Sequence, residues 1–279
     1  MLLRLYSLVI LLLDLVTLLI GIWFSVVVAI YRTLRPPALK NIHGEVAMVV
    51  GAGRGVGREI AIQLSQLGVK VACVDVNAEN CGATVNKATH FFGSAKLYLC
   101  DVTNEKQVIE TVNSVRSELG EVTMLFHCCG VPSPRSLTED PIEIRKIFDI
   151  SILSHFLLLD AVLPDMRKIK KGHIIVLSSV AGLSGGTCGK SCVPLSTAQF
   201  AVQGFAESLR SDIQFRIPSY FGTMPANEAA KKILDGVRRN YAEFSVPGYL
   251  LYVGHILRVL PKKASFLLRD LLDTGVDFA

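Results

Sequence analysis

The chain has 279 residues, 51% of them hydrophobic, with a mean hydropathy of +0.44 and a formal net charge of +5. That length suits one large domain, the apolar excess points to a membrane, and so small a positive surplus with no basic stripe interleaved with aromatics gives no ground for nucleic-acid binding. Seven cysteines, an odd count lying mostly in apolar runs, point to buried thiols in a reducing compartment.

From Leu5 to Ile30 the chain reads LYSLVILLLDLVTLLIGIWFSVVVAI, long enough as a helix to cross a hydrocarbon core of about 30 Å. Its eighteen Leu, Ile, Val and Phe residues, at roughly −0.3 to −0.6 kcal/mol each, outweigh the roughly +3 kcal/mol of one central Asp14. A shallow or hairpin-like insertion that keeps Asp14 near headgroups lowers that cost and stays open. A cleavable signal peptide is the competing reading, but the apolar run exceeds the usual length and no convincing small-x-small site follows. Residues 1–40 carry Arg4, Arg32, Arg35 and Lys40 against Asp14. The basic residues dominate the carboxyl side, so the positive-inside rule leaves the remainder in the cytosol. Pro36 and Pro37 end the helix.

Glu45 to Val50 is a β-branched run leading into Gly51-Ala52-Gly53-Arg54-Gly55-Val56-Gly57 and then a helix with Ile60, Ile62, Leu64 and Leu67. Strand, tight glycine turn and helix make a phosphate cradle, because the backbone must bend sharply and approach the ligand while free amides meet its charge. The next strand, Lys70 to Asp75, places Asp75 eighteen residues after Gly57. A carboxylate there accepts from ribose hydroxyls and repels a 2′-phosphate, which favours NAD(H) over NADP(H). Arg54 argues the other way, since a guanidinium could receive that phosphate. A turn or helix cap is the alternative role for Asp75.

The rhythm repeats with strand Ala95 to Cys100, then Asp101-Val102, a helix over Glu105 to Leu119, and a fourth strand, Val122 to His127, ending in Cys128-Cys129-Gly130. Alternating strands and helices predict an α/β fold: a Rossmann-type, doubly wound parallel sheet in a single domain behind a hydrophobic amino-terminal anchor. The predicted organisation is residues 1–35 anchor, 36–44 tether, 45–240 Rossmann domain and 241–279 an amphipathic tail.

Val50 to Gly57 resembles the TGxxxGxG loop of the short-chain dehydrogenase/reductase superfamily, Asp101-Val102 its adenine-contacting Asp, and Phe126 to Gly130 its NNAG motif. The resemblance spans about Gly44 to Asp235. Within the superfamily, the anchor and the phrases GHIIVLSSVAGLSG (172–185) and FAVQGFAESL (200–209) are similar to membrane-bound retinol and 17β-hydroxysteroid dehydrogenases. It implies NAD(H) held by Gly51, Gly53, Arg54, Gly55, Val56, Gly57, Asp75, Asp101, Val102 and Gly130, a lipophilic retinoid or steroid ligand, and a place at endoplasmic reticulum or lipid droplet.

The resemblance also implies four catalytic roles: a tyrosine that exchanges the proton, a lysine that lowers its pKa and grips the nicotinamide ribose, a serine that fixes the substrate oxygen and an asparagine that holds a water. Hydride delivery creates an alkoxide that must be protonated or stabilised. Ser178 or Ser179 suits the serine, a polar strand terminus being the alternative. The register set by Gln199 to Phe205 puts Leu195 at the tyrosine and Gln199 at the lysine; Ser151 stands at the asparagine. Leu195 has no proton to give, and Gln199 carries no charge. None of the seven tyrosines has a lysine four residues on, so no gap placement restores the motif. Relatives have a longer connection after the helix ending near Leu209, a full sixth strand and a substrate-covering loop; here the next helix begins near Ala226, predicting a reduced lid and a wetter pocket.

His127 and Tyr220 are candidate substitutes near the nicotinamide, against a strand-end histidine and a packing aromatic, which are preferred. Lys190 reads as a solvated loop charge. Cys188 and Cys192 resemble half a metal site without a second pair, so no metal is predicted. The tail, Ser245 to Leu272, is divided by Pro261 and suits either a membrane surface or a dimer-facing or core helix. The expectation is a catalytically impaired NAD(H)-binding relative on membrane lipid, with a homodimer left open; the alternatives are an active oxidoreductase using Ser178 or Ser179, and a scaffold without nucleotide.

Overall fold

The structure, a computed structural model, describes residues 2–90, 93–130, 141–183, 193–209, 214–220 and 224–259. It divides into two units, residues 1–40 and 41–279.

The first unit is one helix, α1 (Leu2–Leu34), whose run of Leu, Ile and Val contains no internal proline. At 1.5 Å per residue it is about 50 Å long. From Val9 to Leu34 the mean hydropathy is 2.5 and none of that window is buried within the protein. Trp23 and Phe24 are exposed. Such a surface requires lipid or another apolar partner. Three of its hydroxyls bond within the helix, Thr17 donating to Leu13 O, Ser25 to Gly21 O and Thr33 to Ala29 O.

The second unit carries β1 (Val46–Val50), α2 (Gly55–Gln66), β2 (Lys70–Asp75), α3 (Ala78–Ala88), β3 (Ser94–Leu99), α4 (Glu105–Leu119) and β4 (Met124–His127). Then come α5 (Pro141–Phe148), a π-helical turn (Asp149–Leu153), α6 (Ser154–Lys168), β5 (His173–Val176) and β6 (Ser178–Ser179). A 3-10 turn (Val180–Gly182), α7 (Val193–Leu209), β7 (Gln214–Tyr220), α8 (Ala226–Arg238), β8 (Glu243–Val246) and α9 (Tyr249–Val259) complete the described chain.

Every strand pair is parallel, in the order β3-β2-β1-β4-β5-β7, with β8 on the far side of β7. β6 continues the line of β5 along β7 after Leu177, pairing Ser178 with Ser219. The order in which strands are added reverses between β1 and β4, so the carboxyl ends of those two parallel strands frame the crevice where ligands of such sheets bind.

Both faces are covered, which is why the strands read as continuous apolar runs. In β1, Val46, Met48 and Val50 pack toward α4, α6 and α7, while Ala47 and Val49 pack toward α2 and α8. Burial of each Val or Met side chain contributes about 1.5–3 kcal/mol. The stretch Pro141–Lys168 is also long and apolar. It buries Ile147, Ile152, Leu158, Val162 and Met166 in the core, as the helices flanking a sheet do.

Two features depart from the sequence expectation. β8 pairs with β7, so the sheet runs past residue 240, where the tail was placed. A seven-residue strand follows α7, where the sequence predicted a reduced connection in place of the relatives' full sixth strand.

Candidate nucleotide and serine site

The glycine turn between β1 and α2 is shaped by close approach. Gly51 adopts φ +83 and its amide donates to Val74 O at 2.8 Å, locking the turn onto β2. A Cβ at Gly57 would run into the Gly51 carbonyl and lie 3.1 Å from Cys128 Cβ, so only glycine fits. Gly55 has φ +57, and Arg54, extended and exposed, precedes the helix without a side-chain cap. The first bond of the helical ladder is Arg58 N to Arg54 O. The amides of Gly55, Val56 and Gly57 lie ahead of it at the positive end of α2, where an anionic group is favoured.

Asp75 is built into this turn. Its Oδ2 accepts from Gly53 N at 2.8 Å and its Oδ1 from Asn77 N at 2.9 Å. The turn-forming role is therefore the one observed for Asp75, and each oxygen keeps a further lone pair. Sequence reasoning missed the residues behind the loop. Arg58 donates to Gly53 O and to Thr84 Oγ1 at 3.1 Å, and Thr84 donates to Ala52 O at 2.8 Å. Arg58 follows Gly57 directly, a signal that only the tertiary contact interprets.

Asp101 lies two residues beyond β3, its Oδ1 accepting from Thr103 N and Thr103 Oγ1, while Val102 is buried in the core. Burial and then the charges of Asp75, Cys100 and Asp101 push the Cys129 thiol up to about 12. Burial raises the Cys128 thiol as well. At both sulfurs the raised pKa disfavours the nucleophilic thiolate. Gly130 is exposed, with nothing within 4 Å of where a Cβ would stand.

The serines lie where β5 breaks at Leu177 and resumes as β6. Ser178 is buried and Ser179 half-buried. Gln199, on α7, turns its amide onto both: Oε1 accepts from Ser179 N at 2.9 Å and from Ser178 Oγ at 3.2 Å. One helical turn on, Gln203 Nε2 donates to Ser178 Oγ at 3.3 Å. Gly182 allows this approach, since a Cβ there would sit 2.7 Å from Gln199 O. Gln203 was missed from sequence, although its spacing of four from Gln199 puts two amides on one helix face.

Leu195 is half-buried on α7. Ser151 falls in the π-helical turn, buried, its hydroxyl without a partner. His127 does not reach toward a ligand. It is fully enclosed, its Nε2 2.8 Å from Ser154 Oγ, and its ring stacks on His155 at 3.6 Å. Burial pushes the His127 pKa down to about 4 and that of His155 well below the ordinary value. His127 ends β4 and is hydrogen-bonded there, the strand-end role preferred for it. Lys190, Cys188 and Cys192 lie outside the described residues, as does the Tyr220 side chain. Among the described residues no cluster of three His, Cys, Asp or Glu forms a metal site.

The sequence pattern of the short chain dehydrogenase family matches residues 45–217. Human 17-beta-hydroxysteroid dehydrogenase 13 is 27% identical over 281 residues, covering 92% of each chain. Mouse epidermal retinol dehydrogenase 2 is 27% identical over 266 residues, covering 84% of each. Among solved structures, a short-chain dehydrogenase/reductase from Burkholderia phymatum in complex with NAD superposes with a TM-score of 0.72 at 18% identity, covering 79% of this chain and 95% of that one. A metagenomic short-chain oxidoreductase in complex with NADP gives 0.66 at 24%, covering 74% and 98%.

Proposed function

The chain belongs to the short-chain dehydrogenase family, and from that premise we propose that it is a membrane-anchored protein that binds a nicotinamide dinucleotide, NAD(H) before NADP(H), and is impaired in hydride chemistry. The observation that carries the reading is Gln199, which stands at the lysine position and spends its amide on Ser178 and Ser179.

The phosphate end fits the cofactor. Gly51, Gly53 and Gly57 let the turn close on itself where a Cβ would strike the Cys128 backbone, the Asp75 carboxylate or the Gly51 carbonyl, and the amides of Gly55 to Gly57 offer donors. Asp75 and Asp101 would meet ribose and adenine, with the Val102 backbone and Gly130 beside them, and the exposed Arg54 could receive a 2′-phosphate. The nicotinamide supplies a carbon that accepts or gives a hydride.

At the other end this chain's residues do little of what that transfer requires. Leu195 holds no proton, so a forming alkoxide has no acid there. Gln199 supplies no positive charge, and Ser178 already donates to it. Ser151 replaces an amide with a short hydroxyl. Loss of a positioned acid costs about 10²- to 10⁴-fold and of an oxyanion donor about 10²- to 10³-fold. β7 ends at Tyr220 and α8 begins at Ala226, a short connection that supports a reduced cover over the cleft.

The relatives named for steroid and retinol oxidation support a lipophilic ligand of that class, and α1 supports placement in endoplasmic reticulum or lipid-droplet membrane. Arg32, Arg35 and Lys40 after α1 and the free thiols of residues 73–129 support a cytosolic domain. Titration of the full chain with NADH, following nicotinamide fluorescence, tests the binding half: saturable enhancement is expected, and its absence would favour a scaffold without nucleotide.

A further inference from the structure

We infer that Arg58 is a positioning residue for the phosphates of the dinucleotide, acting through the Gly53 carbonyl; the inference rests on the nucleotide reading above. Arg58 lies in the first turn of α2 and is half-buried. Its guanidinium is spent on the glycine turn and on α3. Nη2 donates to Gly53 O and, at 3.2 Å, to Asn80 O, while Nε donates to Thr84 Oγ1 at 3.1 Å. Thr84 is buried, and its hydroxyl donates to Ala52 O at 2.8 Å. Two consecutive carbonyls of the turn, those of Ala52 and Gly53, are thus tied to side chains of α2 and α3.

Gly53 is held at both ends. Its N–H goes to Asp75 Oδ2, and a Cβ on it would stand 2.7 Å from that oxygen and 3.2 Å from Asn80 Cβ. A carboxylate therefore grips its donor and a guanidinium its acceptor. An anion at the amino end of α2 is favoured by N–H groups and repelled by carbonyl oxygens. Holding Ala52 O and Gly53 O on protein donors keeps two partial negative charges from turning toward it. The planar fork of arginine suits this task, because one side chain reaches three acceptors on two elements; an ammonium is a single point.

The test is competition against NADH on the full chain, followed by nicotinamide fluorescence, with ADP and adenosine as competitors. On the natural chain ADP should compete at concentrations well below those that adenosine needs. In Arg58→Gln, whose amide does not span the three acceptors, ADP should weaken about tenfold or more while adenosine binds as before. Arg58→Lys keeps the charge without the fork and should resemble Arg58→Gln. Equal weakening of ADP and adenosine would make Arg58 a general support of the fold and overturn the inference, as would ADP binding that Arg58→Gln leaves unchanged. Full recovery in Arg58→Lys would also overturn it, since charge alone would then suffice. If Arg58→Gln does not fold, Thr84→Val, which frees Ala52 O and Arg58 Nε, carries the same comparison, and an unaltered ratio of ADP to adenosine affinity in that chain overturns the inference. Absence of any NADH fluorescence change with the natural chain would remove the nucleotide reading and the inference together.

Discussion

The hydroxyl of Ser178 donates to the side-chain carbonyl of Gln199 at 3.2 Å, and the amide of Gln203 donates back to that hydroxyl at 3.3 Å. A serine in this strand should present its proton to a ligand oxygen. Here the proton and one lone pair are both in use, inside a region where solvent does not compete.

Restoring the missing groups should therefore not restore turnover. In a Leu195→Tyr, Gln199→Lys chain the ammonium enters a buried position that now holds a neutral amide, and it leaves Ser179 N without its acceptor. We expect a stability loss of about 2 kcal/mol by urea denaturation, and dehydrogenation of oestradiol or retinol that stays near background. Robust turnover in this chain would place the defect in those two residues alone.

Substitution of Gly57 by alanine should damage the turn and the binding it supports. The new methyl collides with the Gly51 carbonyl and the Cys128 side chain, so either the turn opens or α2 shifts. NADH affinity should fall by about tenfold or more, equivalent to at least about 1.4 kcal/mol. A Gly82→Ala control, whose Cβ meets only Leu97 at 3.8 Å, should leave the titration unchanged.

Removal of the Asp75 carboxylate should act on the loop and on cofactor choice together. Asp75→Ala strips acceptors from Gly53 N and Asn77 N, so NADH affinity should drop and the ratio of NADPH to NADH affinity should rise. Parallel fluorescence titrations measure both. An unchanged ratio would mean that Arg54, not Asp75, sets the preference.

The paired imidazoles make stability depend on pH. The His127 pKa is near 4 in the folded protein, against about 6.5 in the unfolded chain, and that of His155 is lowered too. The unfolded state therefore takes up protons first as pH falls. Their contribution is fully present above about pH 6.5 and is lost progressively toward pH 4, with His127 alone accounting for on the order of 3 kcal/mol. Urea midpoints at pH 7.5 and pH 5 measure the slope. A His155→Phe chain, which keeps a ring against His127 and Phe205, should show a shallower one.

Local chemistry made the glycine turn legible: β-branched strand, glycines and an amphipathic helix specify it within some twenty residues, and Asp75 follows at a readable distance. β2 and α4 likewise begin and end where their apolar periodicity does. The contacts that give the site its character span longer gaps. Gly53 meets Asp75 across 22 residues and Ser178 meets Gln203 across 25. Nothing in the local pattern tells a glutamine that faces a ribose from one that faces back onto a strand. The histidine stack joins residues 127 and 155, and β8 is four residues whose strand character comes only from the open edge of β7.

One measurement bears most directly on the impaired-site reading. The full chain in lipid vesicles is saturated with NAD⁺, given all-trans-retinol or oestradiol, and followed for NADH formation beside a Ser178→Ala, Ser179→Ala chain. The two traces should coincide at background while NADH still binds to the natural chain. Product that forms with the natural chain and disappears with the double variant would contradict the account, because it would require a proton donor that Leu195 and Gln199 do not provide.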